Sequence, residues 1–151
     1  MPYTKAEIGP RILAALVDAI IAAIPFYIPI IGPLVSTAYI LTKDGLMYQI
    51  TGREEWKNRS IGKKLFNLQI VPPEGELVDL AVSAKRNLPL AIGSIIAIVP
   101  VLGWAVGPIV GLACGVIEIG LVLTDDKGCR LGDRWADTMV IGQPVKSETS
   151  I

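Results

Sequence analysis

The chain has no histidine, and its only cysteines are Cys114 and Cys129. These scarcities remove the Ser-His and Cys-His pairs of nucleophilic catalysis, the usual zinc ligand sets and a disulfide framework. Net charge is missing too: 14 basic and 14 acidic residues cancel, which leaves no overall field to attract nucleic acid. Neither a phosphate-binding glycine loop nor a metal-ligand spacing is present. The sequence therefore predicts a non-enzymatic protein without cofactor or metal.

Charge is scarcest inside two long blocks. Between Ile12 and Thr42 only Asp18 is charged, and between Leu88 and Leu123 only Glu118. With 52% hydrophobic residues and a mean hydropathy of +0.54, the expected solvent is lipid. A bilayer core needs roughly 20 helical residues, so each block is long enough for two spans. Pro25, Pro29 and Gly32-Pro33 break the first block, and Pro100, Gly103 and Pro108 break the second. The expected fold is an all-α membrane protein with four transmembrane helices in two hairpins, over residues 10–27, 33–50, 87–101 and 105–123. One domain, 1–151, then includes a connection at 51–86 and a tail at 124–151. No polar segment follows the first apolar run, so a cleaved signal peptide is not expected.

Position gives the charges their meaning. Lys5 and Arg11 precede the first span, Lys63, Lys64, Lys85 and Arg86 are among the cations of the connection, and Lys127, Arg130, Arg134 and Lys146 follow the last span. Neither hairpin turn is charged, so the positive-inside rule places both termini and the connection in the cytoplasm of a cell carrying this multi-pass protein in its cytoplasmic membrane. Lys63, Lys64, Lys85 and Arg86 are expected at lipid headgroups.

At 1.5 Å per residue, Asp18, Asp44 and Glu118 each lie roughly 20 Å from the outer side, in one layer. Seven residues at about 100° return to the same face, so Arg11 and Asp18 share a face. Glu118 projects likewise from the face of Gly107, Gly111 and Gly115. Glycine costs a helix roughly 1 kcal/mol relative to alanine, but in lipid small residues let helices approach closely. The expected partner of this glycine face is the small face of the first span, Ala14 and Ala22, which would bring Asp18 and Glu118 together within reach of Arg11 or Lys43.

Four stretches in order carry a resemblance: GPRILAALVDAII with Arg11 and Asp18, SIGKKLFNLQIV, KRNLPL, and RLGDRWADTMVIG. They resemble the RDD family of small membrane proteins, named for an arginine and two aspartates. The resemblance implies functional weight on Arg11 and Asp18, with Asp133 or Asp44 as the second aspartate. It also brings proposals of sodium or proton transport made for the family.

Outside the spans, SIGKKLF suits a short interfacial helix or an ordinary basic loop end. LQIV, PPEG and ELVDL read as a turn between two extended pieces, with TMVI available to pair. RLGDRWAD offers local ion pairs on a helix docked near Arg86, or a solvated surface cluster. Two functions stand: proton or monovalent-cation transport at the Arg11, Asp18, Asp44, Glu118, Asp133 cluster by a homo-oligomer, or a non-transporting interaction or assembly module in the bilayer. The charged layer is either a titrating site or a fixed ion cluster that sets helix register.

Overall fold

In the computed structural model, residues 5–72 and 77–142 are described. The elements run α1 (Ile8–Phe26), α2 (Ile31–Thr51), a 3-10 turn (Glu54–Trp56), α3 (Ile61–Leu65), β1 (Leu68–Val71), α4 (Leu80–Ile96), α5 (Leu102–Thr124), α6 (Leu131–Trp135) and β2 (Met139–Gly142). The chain is mostly helical. Two helices, α1 and α5, are long and apolar enough to cross a membrane, with mean hydropathies of 1.8 and 2.2.

Their polarity is inverted relative to a helix of a water-soluble protein. On α1 the buried residues are Arg11, Ala14, Asp18 and Ala22, one face at helical spacing, whereas Ile12, Leu16, Ile20 and Ile24 point outward. On α5 the buried set includes Gly107 and Glu118, while Ile109, Leu112, Val116 and Ile117 are exposed. Small and charged residues inside with branched apolar residues outside is the arrangement expected when lipid is the solvent.

The packing depends on glycines at close approaches. A Cβ on Gly107 would meet Gly93 and Ala97 of α4, and one on Gly93 would run into the backbone of Gly111. The glycine ladder therefore seats α5 on α4, not on α1. Periodicity identified the face but not its partner. Gly115, one turn further on, has nothing within 4 Å of its Cβ position. Gly45 of α2 lies against the chain entering α4, with the Val78 carbonyl oxygen 2.7 Å from where its Cβ would be. Gly62 of α3 abuts the Ala14 carbonyl of α1, and Gly132 of α6 abuts the Arg86 carbonyl of α4.

The third expected span starts early. Asp79 caps α4 by accepting from the Val82 N–H at 2.7 Å, so the helix begins at Leu80 and not near residue 87. It ends at Ile96, and α5 begins at Leu102. The early turns carry Ser83, Arg86 and Asn87, which hydropathy reads as loop but which the fold turns inward. ELVDL consequently forms no strand over its described residues, and the Pro73–Gly75 part of the expected turn lies outside the described residues. LQIV does pair with the tail: β1 and β2 are antiparallel, Leu68 opposite Gly142 and Ile70 opposite Val140. Ala6, Ala14, Leu68, Ile70, Val78 and Val140 form a small apolar core beneath this pair.

The element order is a repetition. A long helix, a tight turn, a second long helix, a short helix and a strand occur once from Ile8 to Val71 and again from Leu80 to Gly142. The turns match: Pro29-Ile30-Ile31-Gly32 and Pro100-Val101-Leu102-Gly103 each place a β-branched residue at positive φ, Ile30 at 70° and Val101 at 66°. After the short helices, Asn67 and Asp137 take the same left-handed conformation, with φ of 53° and 52°. Ile70 and Val140, equivalent positions in the two halves, face each other in the ladder, as a local twofold axis requires. Besides the 3-10 turn, present in the first half alone, the repetition is broken in the helix packing. α2 packs tightly on α4, whereas α5 and α1, the corresponding pair, barely touch and leave a groove of about 740 Å³ along their length.

The close approaches set a stability order. Gly62→Val and Gly132→Val are expected to lower stability by about 1–3 kcal/mol through forced backbone separation. Gly115→Ala should stay within about 0.5 kcal/mol of the parent. Thermal unfolding of the purified protein in detergent micelles checks the order.

Candidate functional site

Nine ionisable side chains form a connected network. Asp18 of α1 accepts from Ser60 Oγ at 2.6 Å, from the Gly62 N–H at 2.8 Å and from Lys43 Nζ of α2 at 3.2 Å. Asp44, the next residue on α2, accepts from Lys63 Nζ of α3 at 2.7 Å and from Asn87 Nδ2 of α4 at 2.7 Å. Arg86 Nε stands 3.4 Å from the same carboxylate, and Arg86 Nη2 donates to Asp133 Oδ1 of α6 at 2.6 Å. Asp133 also takes Arg130 Nη2 at 3.2 Å and the Arg130 backbone N–H at 3.1 Å, which closes the first turn of α6. Arg11 Nη2 lies 3.6 Å from Asp133, and Arg11 Nη1 donates to the Gly128 carbonyl at 2.6 Å. Finally Arg130 Nε reaches Glu118 Oε2 of α5 at 3.9 Å.

Every helix contributes or anchors a member, and the three short elements are held to the bundle by them. Ser60 caps α3 and binds Asp18 with the same hydroxyl, so the start of α3 is fixed on α1. Gly62 permits that approach, because any Cβ would collide with α1. Asp133 does the corresponding work for α6 on α4, where Gly132 permits the approach.

The structure brings Arg11, Asp18, Asp44, Glu118 and Asp133 into one network, but not through the contact expected. Asp18 and Glu118 belong to its opposite ends, since α1 and α5 are apart. The charge shared by Arg11 and Asp133 joins the arginine and one aspartate of the resemblance directly, and Asp44 joins through Arg86. Two headgroup assignments are corrected. Lys63 and Arg86 are buried, with Arg86 fully enclosed, because their helices turn them toward Asp44 and Asp133. Lys85 is exposed, and Lys64 is partly so, lying 3.8 Å above the Trp56 ring and 3.1 Å from Glu55. The tail helix is docked near Arg86 and is not a solvated cluster. Sequence reading missed Ser60, Ser83 and Asn87; the signal for the last two was the polar spacing Asp79-Ser83-Arg86-Asn87 on one helical face.

The electrostatics outside the long helices follow from burial against pairing. Burial pushes the Lys63 ammonium down to about 8, more than Asp44 raises it. Burial alone would raise Asp133, but Arg130 and Arg86 outweigh it and hold the carboxyl well below the usual range. Arg130 lies above its ordinary value because Asp133 overcomes its own desolvation. With all groups charged, the network holds five cations, Arg11, Lys43, Lys63, Arg86 and Arg130, against four carboxylates. Among the described residues no group of three or more His, Cys, Asp or Glu is placed to hold a metal ion.

Removing one partner from such a network leaves the others buried and uncompensated. Asp44→Asn is expected to cost roughly 3–5 kcal/mol by stranding Lys63 and leaving Arg86 with Asp133 alone. The exposed Glu55→Gln should cost within about 0.5 kcal/mol. Denaturant titration in micelles separates the two.

No curated protein and no solved structure matches the chain. The model of the RDD family matches residues 5–137, a range that takes in α1 through α6 and every member of the charged network. The chain belongs to the RDD family.

Proposed function

We propose that the chain is a multi-pass protein of the cytoplasmic membrane in which α1, α2, α4 and α5 all span the bilayer, with both termini and the connection on the cytoplasmic side. Two features support the topology. The turns between α1 and α2 and between α4 and α5 are uncharged, and the partly exposed Lys64 and the exposed Lys85 lie in the connection and in the first turns of α4. Lys43 and Asp44 of α2 and Ser83, Arg86 and Asn87 of α4 are buried, which is how charged spans are tolerated in lipid.

In this reading the protein, as a homo-oligomer, exchanges protons or monovalent cations at groove-facing carboxylates and has no catalytic role. One observation carries it. Of the four carboxylates in the network, Asp44 and Asp133 are saturated by cations and lie away from the groove. Glu118 lines the groove, and its Oε2 has no hydrogen-bond partner among the described residues. The ion-pair contact to that oxygen is Arg130 Nε at 3.9 Å, beyond hydrogen-bonding distance. Asp18 lines the same groove but takes three donors, which suits it to positioning α3.

The saturation of Asp44 and Asp133 favours a second reading, a non-transporting assembly module in which the network only fixes helix register. Purified protein in sealed liposomes with a trapped pH dye, driven by sodium and then potassium gradients, separates the readings. Transport predicts a cation-dependent pH change that falls at least tenfold in Glu118→Gln while the variant still assembles. Silence from correctly folded and oriented parent protein establishes the second reading.

A further inference from the structure

The α1–α5 groove has apolar walls and a charged end, and none of the described residues fills it. Its volume, about 740 Å³, is that of a ligand site, within the usual range of roughly 300–1,000 Å³. From the level of Arg11 to Phe26 it follows α1 for about 22 Å at 1.5 Å per residue, longer than the roughly 15 Å hydrocarbon depth of one leaflet. Its rim residues Leu16, Leu112 and Val116 are exposed, so the groove opens sideways toward lipid. In the repeated architecture this is the place where α2 and α4 of the other pair are in direct contact.

The charged end is specific in chemistry. It is lined by Arg11, Lys43, Lys63 and Arg130 together with Asp18 and Glu118, and the whole network carries one cation more than it has carboxylates. The Lys43 ammonium, 7% exposed, has three N–H donors and hydrogen-bonds only Asp18 among the described residues. Glu118, 3% exposed, presents a carboxylate oxygen without a hydrogen-bond donor among the described residues. An occupant must therefore bring an apolar tail, an anion for the cations and a donor for Glu118.

We propose that the groove binds one glycerophospholipid whose headgroup adds an N–H or O–H donor to its phosphate. An acyl chain lies between the small residues of α1 and the open stretch of α5 at Leu112, Gly115 and Ile119, the phosphate sits by Lys43 and the flanking guanidinium groups, and an ethanolamine ammonium or glycerol hydroxyl donates to Glu118. A second copy of the chain offering an apolar helix face would leave both the excess cation and Glu118 Oε2 unmatched. The lipid site stands independently of transport, because binding needs no gradient.

Native mass spectrometry of the delipidated full chain, titrated with phosphatidylethanolamine, phosphatidylglycerol and phosphatidylcholine, tests it. Choline has neither N–H nor O–H. The first two lipids are expected to occupy one site at least tenfold more tightly than phosphatidylcholine, about 1.4 kcal/mol or more. Glu118→Leu should erase that preference. Gly115→Leu, whose side chain enters open space in the groove, should weaken all binding at least tenfold with an unchanged melting temperature. Equal binding of phosphatidylcholine by the parent, undiminished binding by Gly115→Leu, or a lipid-free dimer cross-linked through α1 and α5 overturns the proposal. Lipid binding without flux rejects transport alone, and flux without lipid binding rejects the lipid site alone.

Discussion

A carboxylate enclosed by helices in lipid must be met by cations or donors, and the structure depends on how Asp44 and Asp133 meet that demand. Asp44 draws α3 and α4 toward α2, and Asp133 draws α6 and the N-terminal end of α1 toward α4. Apolar packing cannot do this, because in lipid the tails compete equally for apolar side chains. The short elements α3 and α6, each of five residues, are too short to be stable alone. They hold their places because Asp18 and Asp133 grip their first turns and glycines let them sit on neighbouring backbone.

The repetition explains why the network has two ends. Each half contributes a hairpin, a short helix that docks through a glycine and a strand that pairs with its counterpart. The residue after the docking glycine is Lys63 in one half and Asp133 in the other, so the same position presents opposite charges to the bundle. Lys63 answers Asp44, and Asp133 answers Arg86, and the two meet because Arg86 also faces Asp44. One pair of long helices is sealed by this chemistry. The other is left apart, and the groove between them is lined at its charged end by Glu118, whose Oε2 has no hydrogen-bond partner among the described residues.

Much of this was legible. Apolar blocks with prolines near their centres located the two turns that join long helices, α1 to α2 and α4 to α5. Seven-residue arithmetic put Arg11 and Asp18 on one face, and both are buried there. Orientation within the connection was not legible. A count of basic residues records where Lys63 and Arg86 fall along the chain, but not that a helix starting at Asp79 turns Arg86 inward. The partner of the glycine face escaped for a similar reason: spacing defines a surface, and α4 offered Gly93 and Ala97 where α1 offered only alanines. The repetition escaped because SIGKKLFNLQIV and RLGDRWADTMVI share a single identical residue, Gly62 with Gly132, while the shared geometry lies in backbone conformation.

The central claim is that paired charge, not apolar packing, holds the two halves together. A double-mutant cycle on Arg86→Met and Asp133→Asn, read by denaturant unfolding in micelles, tests it most directly. The account predicts that the double variant loses less stability than the two single losses combined, by more than about 1 kcal/mol. Losses that simply add would contradict it, since Arg86 and Asp133 would then act independently.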